Sequence, residues 1–593
     1  LKSKPLSVPT IGFLLALFCF AYFVRLVYLF ELVDNPLFDA FPEAVDHWNF
    51  NEAAVNFSEG DWLARSRNNA FSPLYKYFLG ILYWVSSQNF YFIYGVQFFL
   101  GALSSVLIYL IGRNIFNPRA GLYAFAGFAL FTTQIIYEGI LLRASFISFL
   151  GVLSFYCLLR LPHKRDIQTL IFTVLIVSFF FQARPNTLLC LPLICVYLSR
   201  QGFGDIQLAE RKQKWKIFWA TLILSFIPLL VQCYIVHGKF VFFDASGPHT
   251  FISGNLTAYS GVGFDLEVVE DYQKESVLGY ASNITYLMGH IFSDPVGFFL
   301  LYVRKLFFFF NDFEPPTNIS VYLYKEFTPI TNWLWNHFSL FTALGLTGIL
   351  VAVKRREGHF LLGSYLVSLT LAILIFLNES RYRIPVIPYY VLFAGYGLDV
   401  IIQAFRSRAF RDGTASLLAA SILFYVFQPV QGLIPIRADD FNNMAQVLEI
   451  RGKMEKANSY LDRGLALFPE NSQVQFNKGL YHYTKEEYQS SASFFEKAFT
   501  LDPSNEDVKP NLAMVYYKLS GKELEKNQWR KAATHLSKAL KYQPKFPDAL
   551  VNLGIANANM GFMDKAAEQF HRALAIDPKN SLALTNLKIL KGL

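Results

Sequence analysis

Apolar residues along this chain gather in long runs separated by short charged loops, and the pattern changes once, near residue 437. A helix crossing a bilayer core of about 30 Å takes roughly 20 apolar residues. The runs predict eleven spans, near residues 9–32, 91–112, 120–137, 144–161, 167–183, 186–199, 216–236, 332–353, 359–377, 385–403 and 414–432. Two more apolar segments, 74–85 and 298–310, are short for crossing, and the second carries Arg304 and Lys305 at its middle. Both read as amphipathic helices lying in the outer interface.

After residue 437 a different period takes over. The stretch "PDALVNLGIANANMGFMDKAAEQFHRALAIDP" places Leu553, Gly554, Ala566, Phe570, Ala573 and Pro578 where a 34-residue helix-turn-helix repeat has them. Pro469, Pro503 and Pro544 close equivalent units at spacings of 34, 41 and 34, so one unit carries an insertion of seven near "GKELEKN". Four units, from about 438 to 593, thus resemble tetratricopeptide repeats. Such arrays stack into a solenoid whose groove holds a protein or peptide; a mere cap on the membrane domain is the plainer alternative.

Composition supports the division. Of the 593 residues, 53% are hydrophobic and 17% aromatic, more than soluble chains carry. Charged residues number 39 of 156 from 438 onward, against 58 of the 437 before it. The expected fold is mainly α, a polytopic helical membrane domain over 1–437 followed by an α-solenoid over 438–593. The net charge of +9 does not call for nucleic acid, because its excess lies in short loops between apolar runs. The five cysteines sit in or beside those runs and form no disulfide or metal-type spacing.

Those basic loops alternate. Lys2 and Lys4, Arg113 and Arg119, Arg160 with Lys164 and Arg165, Arg211 to Lys216, Lys354 to Arg356, and Arg406 to Arg411 mark one face, which the positive-inside rule makes cytoplasmic. Residues 33–90, 238–331 and the repeats are then extracytoplasmic and the N-terminus cytoplasmic. The first run, 9–32, is too long for a signal-peptide core and reads as a retained span. The expected location is the bacterial inner membrane or, in a eukaryote, the endoplasmic reticulum.

Candidate chemistry clusters on the outer face. In "AVDHWNFNEAA", Asp46, His47 and Glu52 lie just past the first span; a carboxylate there can act as general base on a hydroxyl or ligate a divalent cation, and a solvated loop acid is the plainer alternative. Glu138, in "IIYEGILLRASF", has Arg143 five residues on, which allows a salt bridge at the boundary. Arg184 in "FQARPN" and Arg381 and Arg383 in "NESRYRIPVIP" run against the positive-inside bias, and guanidinium groups suit phosphate oxygens. Helix-end anchors are their alternative. Lys305 and Arg304 would likewise meet a lipid headgroup. Sequons at Asn56, Asn255, Asn283 and Asn318 all fall on the outer side, and there is no Walker loop, nucleotide-binding glycine fingerprint, metalloprotease His-Glu pair or Gly-x-Ser-x-Gly elbow.

A first span, the loop acid in "VDHWNFNEAA", the "SPLYKYFLGILYWV" helix, the Arg-Pro turn and a late "RYRIPVIP" together resemble the C-type superfamily of membrane glycosyltransferases, closest to the protein O-mannosyltransferase and lipid A aminoarabinose transferase branch. The resemblance covers roughly 9–432. It implies transfer of a sugar from a polyprenyl-phosphate donor to a protein or glycan acceptor on the extracytoplasmic side, with Asp46 as base or cation ligand and Glu138 as a second acidic site residue. Arg184, Arg381 and Arg383, with Lys305, would meet the donor phosphate. Mannosyltransferases of this branch usually show Asp-Glu at the loop; here it is Asp46-His47, which leaves the sugar open. The rival readings are an O-antigen ligase or polymerase using a loop histidine such as His249 or His290, and a non-enzymatic membrane-anchored scaffold.

Overall fold

The computed structural model describes residues 9–42, 45–66, 71–163, 166–204, 207–243, 247–256, 260–261, 280–357, 359–431 and 433–590. Lys2, Lys4, Lys164, Arg165 and the side chains of His249 and Asn283 lie outside the described residues. The fold is mainly α, and the described residues hold one isolated bridge, Phe131 to Trp335, and no named strand. The chain divides into two compact units, Leu1–Ile436 and Arg437–Leu593.

Six described helices are long and apolar enough to cross a membrane: Ile11–Leu32, Phe90–Ile115, Arg143–Arg160, Leu208–His237, Phe338–Arg355 and Ile387–Arg406. Ile167–Ala183 and Phe360–Ile375 are shorter apolar helices, and Phe410–Val426 occupies the last predicted run. Local chemistry sets their starts. The Thr10, Asn89 and Asp166 side chains accept N–H bonds from the first turns of their helices, meeting donors that would otherwise be unpaired in an apolar setting.

Two predicted runs are interrupted. The run 120–137 splits into Pro118–Ala129 and Thr132–Glu138, because Leu130 O and Thr132 N–H bond across to Trp335. The run 186–199 starts as a 3-10 turn at Pro185–Cys190, continues as Leu191–Tyr197 and ends in a π turn, Leu198–Gly202, with Pro185 and Pro192 each removing a backbone donor. The two segments expected at the interface form helices Pro73–Ser86 and Pro295–Phe310. Each leaves apolar side chains exposed, Ile81, Trp84 and Val85 on one and Phe299, Leu300 and Val303 on the other, as an interfacial helix would.

Small residues let the central helices touch backbone to backbone. A Cβ at Gly348 would lie 2.1 Å from Phe393 O, and one at Gly397 would lie 2.4 Å from Leu344 O. Close approach of this kind is how helices associate where lipid removes the hydrophobic drive.

The second unit is a run of antiparallel helix pairs from Ala438–Ile450 and Met454–Leu467 to Pro547–Asn559 and Met563–Ile576, followed by Ser581–Leu590. Phe495 and Phe570 pack on Gly479 and Gly554, where a Cβ would lie 2.6 and 2.5 Å from the ring. The seven-residue insertion lengthens one helix: Val508–Glu525 has 18 residues, while Ser472–Thr484 and Pro547–Asn559 have 13 each.

Gly348→Val should force the Phe338–Arg355 and Ile387–Arg406 helices apart, destabilising the protein by about 1–3 kcal/mol. Gly363→Ala, with nothing within 4 Å of the added carbon, should leave stability unchanged or slightly raised. Thermal unfolding in one detergent compares the two; equal midpoints would contradict the packing account.

Candidate functional site

The segment "NESRYR" enters the Ile387–Arg406 helix through a short helical turn, Ser380–Arg383, and its side chains divide between support and display. Asn378 donates to Lys305 O at 3.1 Å and Ser380 to Pro315 O at 3.2 Å. Arg383 is buried over the Phe338 ring, donating through Nη1 to Asn311 O at 2.7 Å and through Nη2 to Phe313 O at 2.8 Å and Glu314 Oε2 at 2.5 Å. Glu314 also accepts from Thr133 Oγ1 at 3.1 Å. Arg383 therefore fixes the 309–314 loop, and its Nη groups are taken by protein acceptors instead of facing a ligand.

Arg381 turns the other way. Its Nη1 ion-pairs with Asp46 Oδ2, its Nε donates to Glu379 Oε2 at 2.5 Å, and its Nη2 donates to the Tyr382 hydroxyl at 3.3 Å. Against the effect of burial, Glu379 and Asp46 hold the guanidinium pKa well above its ordinary value. Asp46 opens the Asp46–Ser58 helix, whose N-terminal end favours a carboxylate. Asn318 clamps it reciprocally: its Nδ2 donates to Asp46 Oδ2, and its Oδ1 accepts the Asp46 N–H, both at 2.9 Å. The Asp46 and Arg381 side chains keep 23% and 18% of their surface exposed, so a reactant can reach the pair. Arg184, extended before Pro185, lays its guanidinium 3.8 Å from the centre of the Tyr382 ring, and that of Arg381 lies 4.9 Å from the same ring. One aromatic side chain thus links both arginines to the loop acid.

The structure gives two other sequence candidates different partners. Glu138 is fully buried and ion-pairs with Arg25 of the first span, not with Arg143. Arg25 donates from Nε at 2.6 Å and Nη2 at 3.1 Å, and Gln134 adds a bond at 2.9 Å. This pair ties the Ile11–Leu32 helix to the Thr132–Glu138 helix, inside the bundle. Lys305, expected at a headgroup, is buried and donates at 2.8 Å to Leu374 O and to Phe376 O, capping the end of the Phe360–Ile375 helix. Burial brings its pKa down to about 7. Its neighbour Arg304 is exposed.

His47 is buried against Phe41, and its Nδ1 has no hydrogen-bond partner among the described residues. Burial, with Arg381 nearby and Asp46 opposing, lowers its pKa to about 4. The described residues hold no group of three His, Cys, Asp or Glu side chains able to hold a metal ion. Asp46 and His47 are two such side chains, and in this structure Asp46 is paired with a guanidinium. Of the loop histidines, His290 lies on the Tyr280–Ser293 helix.

Several partners escaped the sequence reading, among them Glu314, which pairs with Arg383. Arg25 carried the signal of a charge inside an apolar run, which ordinarily marks a paired residue. Glu379 and Tyr382 flank Arg381 in the motif already singled out. Asn318 had been counted only as a sequon.

Comparison with known proteins agrees with both halves of the resemblance. Residues 70–232 match a family model described as dolichyl-phosphate-mannose-protein mannosyltransferase. Residues 443–506 match a tetratricopeptide repeat model and 522–561 a TPR repeat model. The first match contains Glu138 and Arg184 and leaves Asp46 and Arg381 outside. It supports a membrane glycosyltransferase of the C type, and with the six long apolar helices it supports an integral membrane protein. None of the curated proteins matches the chain. Similar solved structures include MamA from Desulfovibrio magneticus RS-1, 21% identical, covering 26% of this chain and 84% of that one at a TM-score of 0.21. Another is YrrB, a TPR protein with an unusual peptide-binding site, 21% identical, covering 26% of this chain and 92% of that one at a TM-score of 0.18.

A buried histidine that stays neutral destabilises the fold once the unfolded chain takes up a proton that the folded one refuses. Stability should fall as pH drops from about 6.5 to 4 and level off below, with a contribution from His47 on the order of 3 kcal/mol. Unfolding midpoints across that window should decline less steeply in His47→Gln than in the wild type; parallel declines would remove His47 from the account.

Proposed function

We propose that this protein transfers a sugar from a polyprenyl-phosphate carrier to an acceptor hydroxyl on the extracytoplasmic side of the membrane, with Asp46 as general base and Arg381 and Arg184 as the phosphate-binding groups. The observation that carries this reading is the partly exposed Asp46–Arg381 ion pair, which sets an acid and a phosphate-matching cation side by side. The family match to a mannosyltransferase model supports the chemistry, and the positive-inside pattern supports the side.

In the resting arrangement the base is neutralised by its own partner. A donor phosphate offers Arg381 a better acceptor than one carboxylate oxygen, because two parallel N–H bonds suit phosphate geometry. Engaging the phosphate releases Asp46, which then takes the proton of the acceptor hydroxyl. The acceptor oxygen bonds to the anomeric carbon as the bond from that carbon to the phosphate oxygen breaks. The phosphodiester leaves as a monoester with one more negative charge, and Arg381 and Arg184 stabilise that charge as it forms. Inversion at the anomeric carbon is what the resemblance implies. Glu379 keeps Arg381 oriented while its other partner changes. The repeat unit would hold a protein or peptide acceptor, as its family matches support.

Transfer by the full chain in nanodiscs, with a panel of polyprenyl-phosphate sugars, tests the reading. Asp46→Asn should lose about 10²–10⁴-fold in rate. Glu138→Gln should act mainly through stability, by about 3–5 kcal/mol, because it leaves the Arg25 charge buried and unpaired. Undiminished transfer by Asp46→Asn would remove the base, and transfer lost by Glu138→Gln at unchanged stability would restore Glu138 to the chemistry.

A further inference from the structure

Among the buried polar atoms left over around the charged cluster of Arg381, Glu379, Arg383 and Glu314 are two oxygens. The Tyr137 hydroxyl and Glu379 Oε1 are enclosed and have no hydrogen-bond partner among the described residues. Both residues are fully buried. Successive residues on an α-helix point about 100° apart. Glu138 turns to Arg25, whereas Thr133, one turn before Tyr137 on the same helix face, donates to Glu314, which sets Tyr137 on the side of the Glu314–Arg383 pair, where Arg381 and Glu379 also act on its phenol.

An unmet buried donor or acceptor costs about 1–3 kcal/mol, so two on one charged cluster need an explanation. Their chemistry is complementary to hydroxyl groups: a carboxylate oxygen accepts from one, and a phenol donates to or accepts from another. An ionised carboxylate oxygen only accepts and repels a phosphate, so the two together do not suit one. A ligand that satisfies both beside a guanidinium is a polyhydroxylated group attached to a phosphate.

We propose that Tyr137 and Glu379 form the subsite for the donor sugar, each binding one of its hydroxyl groups and together setting which sugars are accepted. The proposal rests on the function given above. Glu379 then has two tasks, with Oε2 holding Arg381 Nε and Oε1 reading the sugar. Access runs past the exposed members of the cluster, Asp46 and Arg381, and opens as Arg381 passes from the carboxylate to the phosphate.

The test is equilibrium binding to the purified full chain in nanodiscs, with three kinds of probe: polyprenyl-phosphate hexoses, their monodeoxy analogues, and bare polyprenyl phosphate. The wild type should bind at least one hexose-bearing lipid about 10-fold more tightly than the bare one and discriminate against removal of particular hydroxyls. Tyr137→Phe should lose about 10-fold on that lipid, lose nothing further on one deoxy analogue, and bind the bare lipid unchanged. Glu379→Gln should lose discrimination at a different hydroxyl, read as the ratio of its affinities for hexose-bearing and bare lipid, because weakening its hold on Arg381 Nε shifts binding of the bare lipid as well. Equal wild-type affinity for bare and every hexose-bearing lipid would overturn the subsite, and that comparison needs no variant to fold. A uniform loss in Tyr137→Phe across all probes would overturn its role as well. Failure to bind any polyprenyl phosphate, bare or loaded, would overturn the proposed function and this subsite with it.

Discussion

Asp46 and Arg381 stand 335 positions apart in the chain and share one ion pair. Everything around them serves to bring the two ends of the membrane unit to the same place. Asp46 begins a helix just after the first span, and Arg381 lies just before the Ile387–Arg406 helix. Asn318, from the loop that Arg383 fastens, closes the third side. A partly exposed pair of this kind adds little stability in itself, since water screens it. Its weight is positional, and a pair that is cheap to open is suited to exchange partners.

Two other arginine–carboxylate pairs do the opposite work. Arg25 with Glu138, and Arg383 with Glu314, are closed to solvent and reinforced by further bonds from Gln134 and Thr133. In a low-dielectric interior, losing one member leaves an uncompensated charge, so these pairs lock helices and loops into one arrangement. The same residue types thus occupy two settings, decided by exposure: one pair partly open to solvent, and two closed pairs that hold the frame around it.

Much of this frame was legible in the sequence. Apolar run length located the helices, and the closing prolines with their small residues located the repeats. Asp46 stood out as a carboxylate just past the first span, and Arg184 and Arg381 as positive charges that run against the positive-inside pattern. What the sequence could not supply was pairing. Glu138 and Arg143 are five residues apart, yet the buried partner is Arg25, because helix contacts in three dimensions outrank proximity along the chain. Arg383 looked equivalent to Arg381, but two residues along a helical turn reverse the direction a side chain faces. Lys305 read as a headgroup contact and instead caps carbonyls at the end of another helix. The breaks at residues 130–131 and 185–190 also depend on tertiary contacts or proline placement that an apolar count passes over.

The account turns on Asp46 and a donor phosphate competing for Arg381, and the most direct test is the affinity of bare polyprenyl phosphate for the wild type and for Asp46→Asn. Removing the competing charge should tighten binding by about 10-fold, equivalent to about 1.4 kcal/mol, even though the same variant is impaired in transfer. Unchanged or weaker binding would show that Arg381 is not shared between the acid and the phosphate, and would contradict the mechanism at its first step.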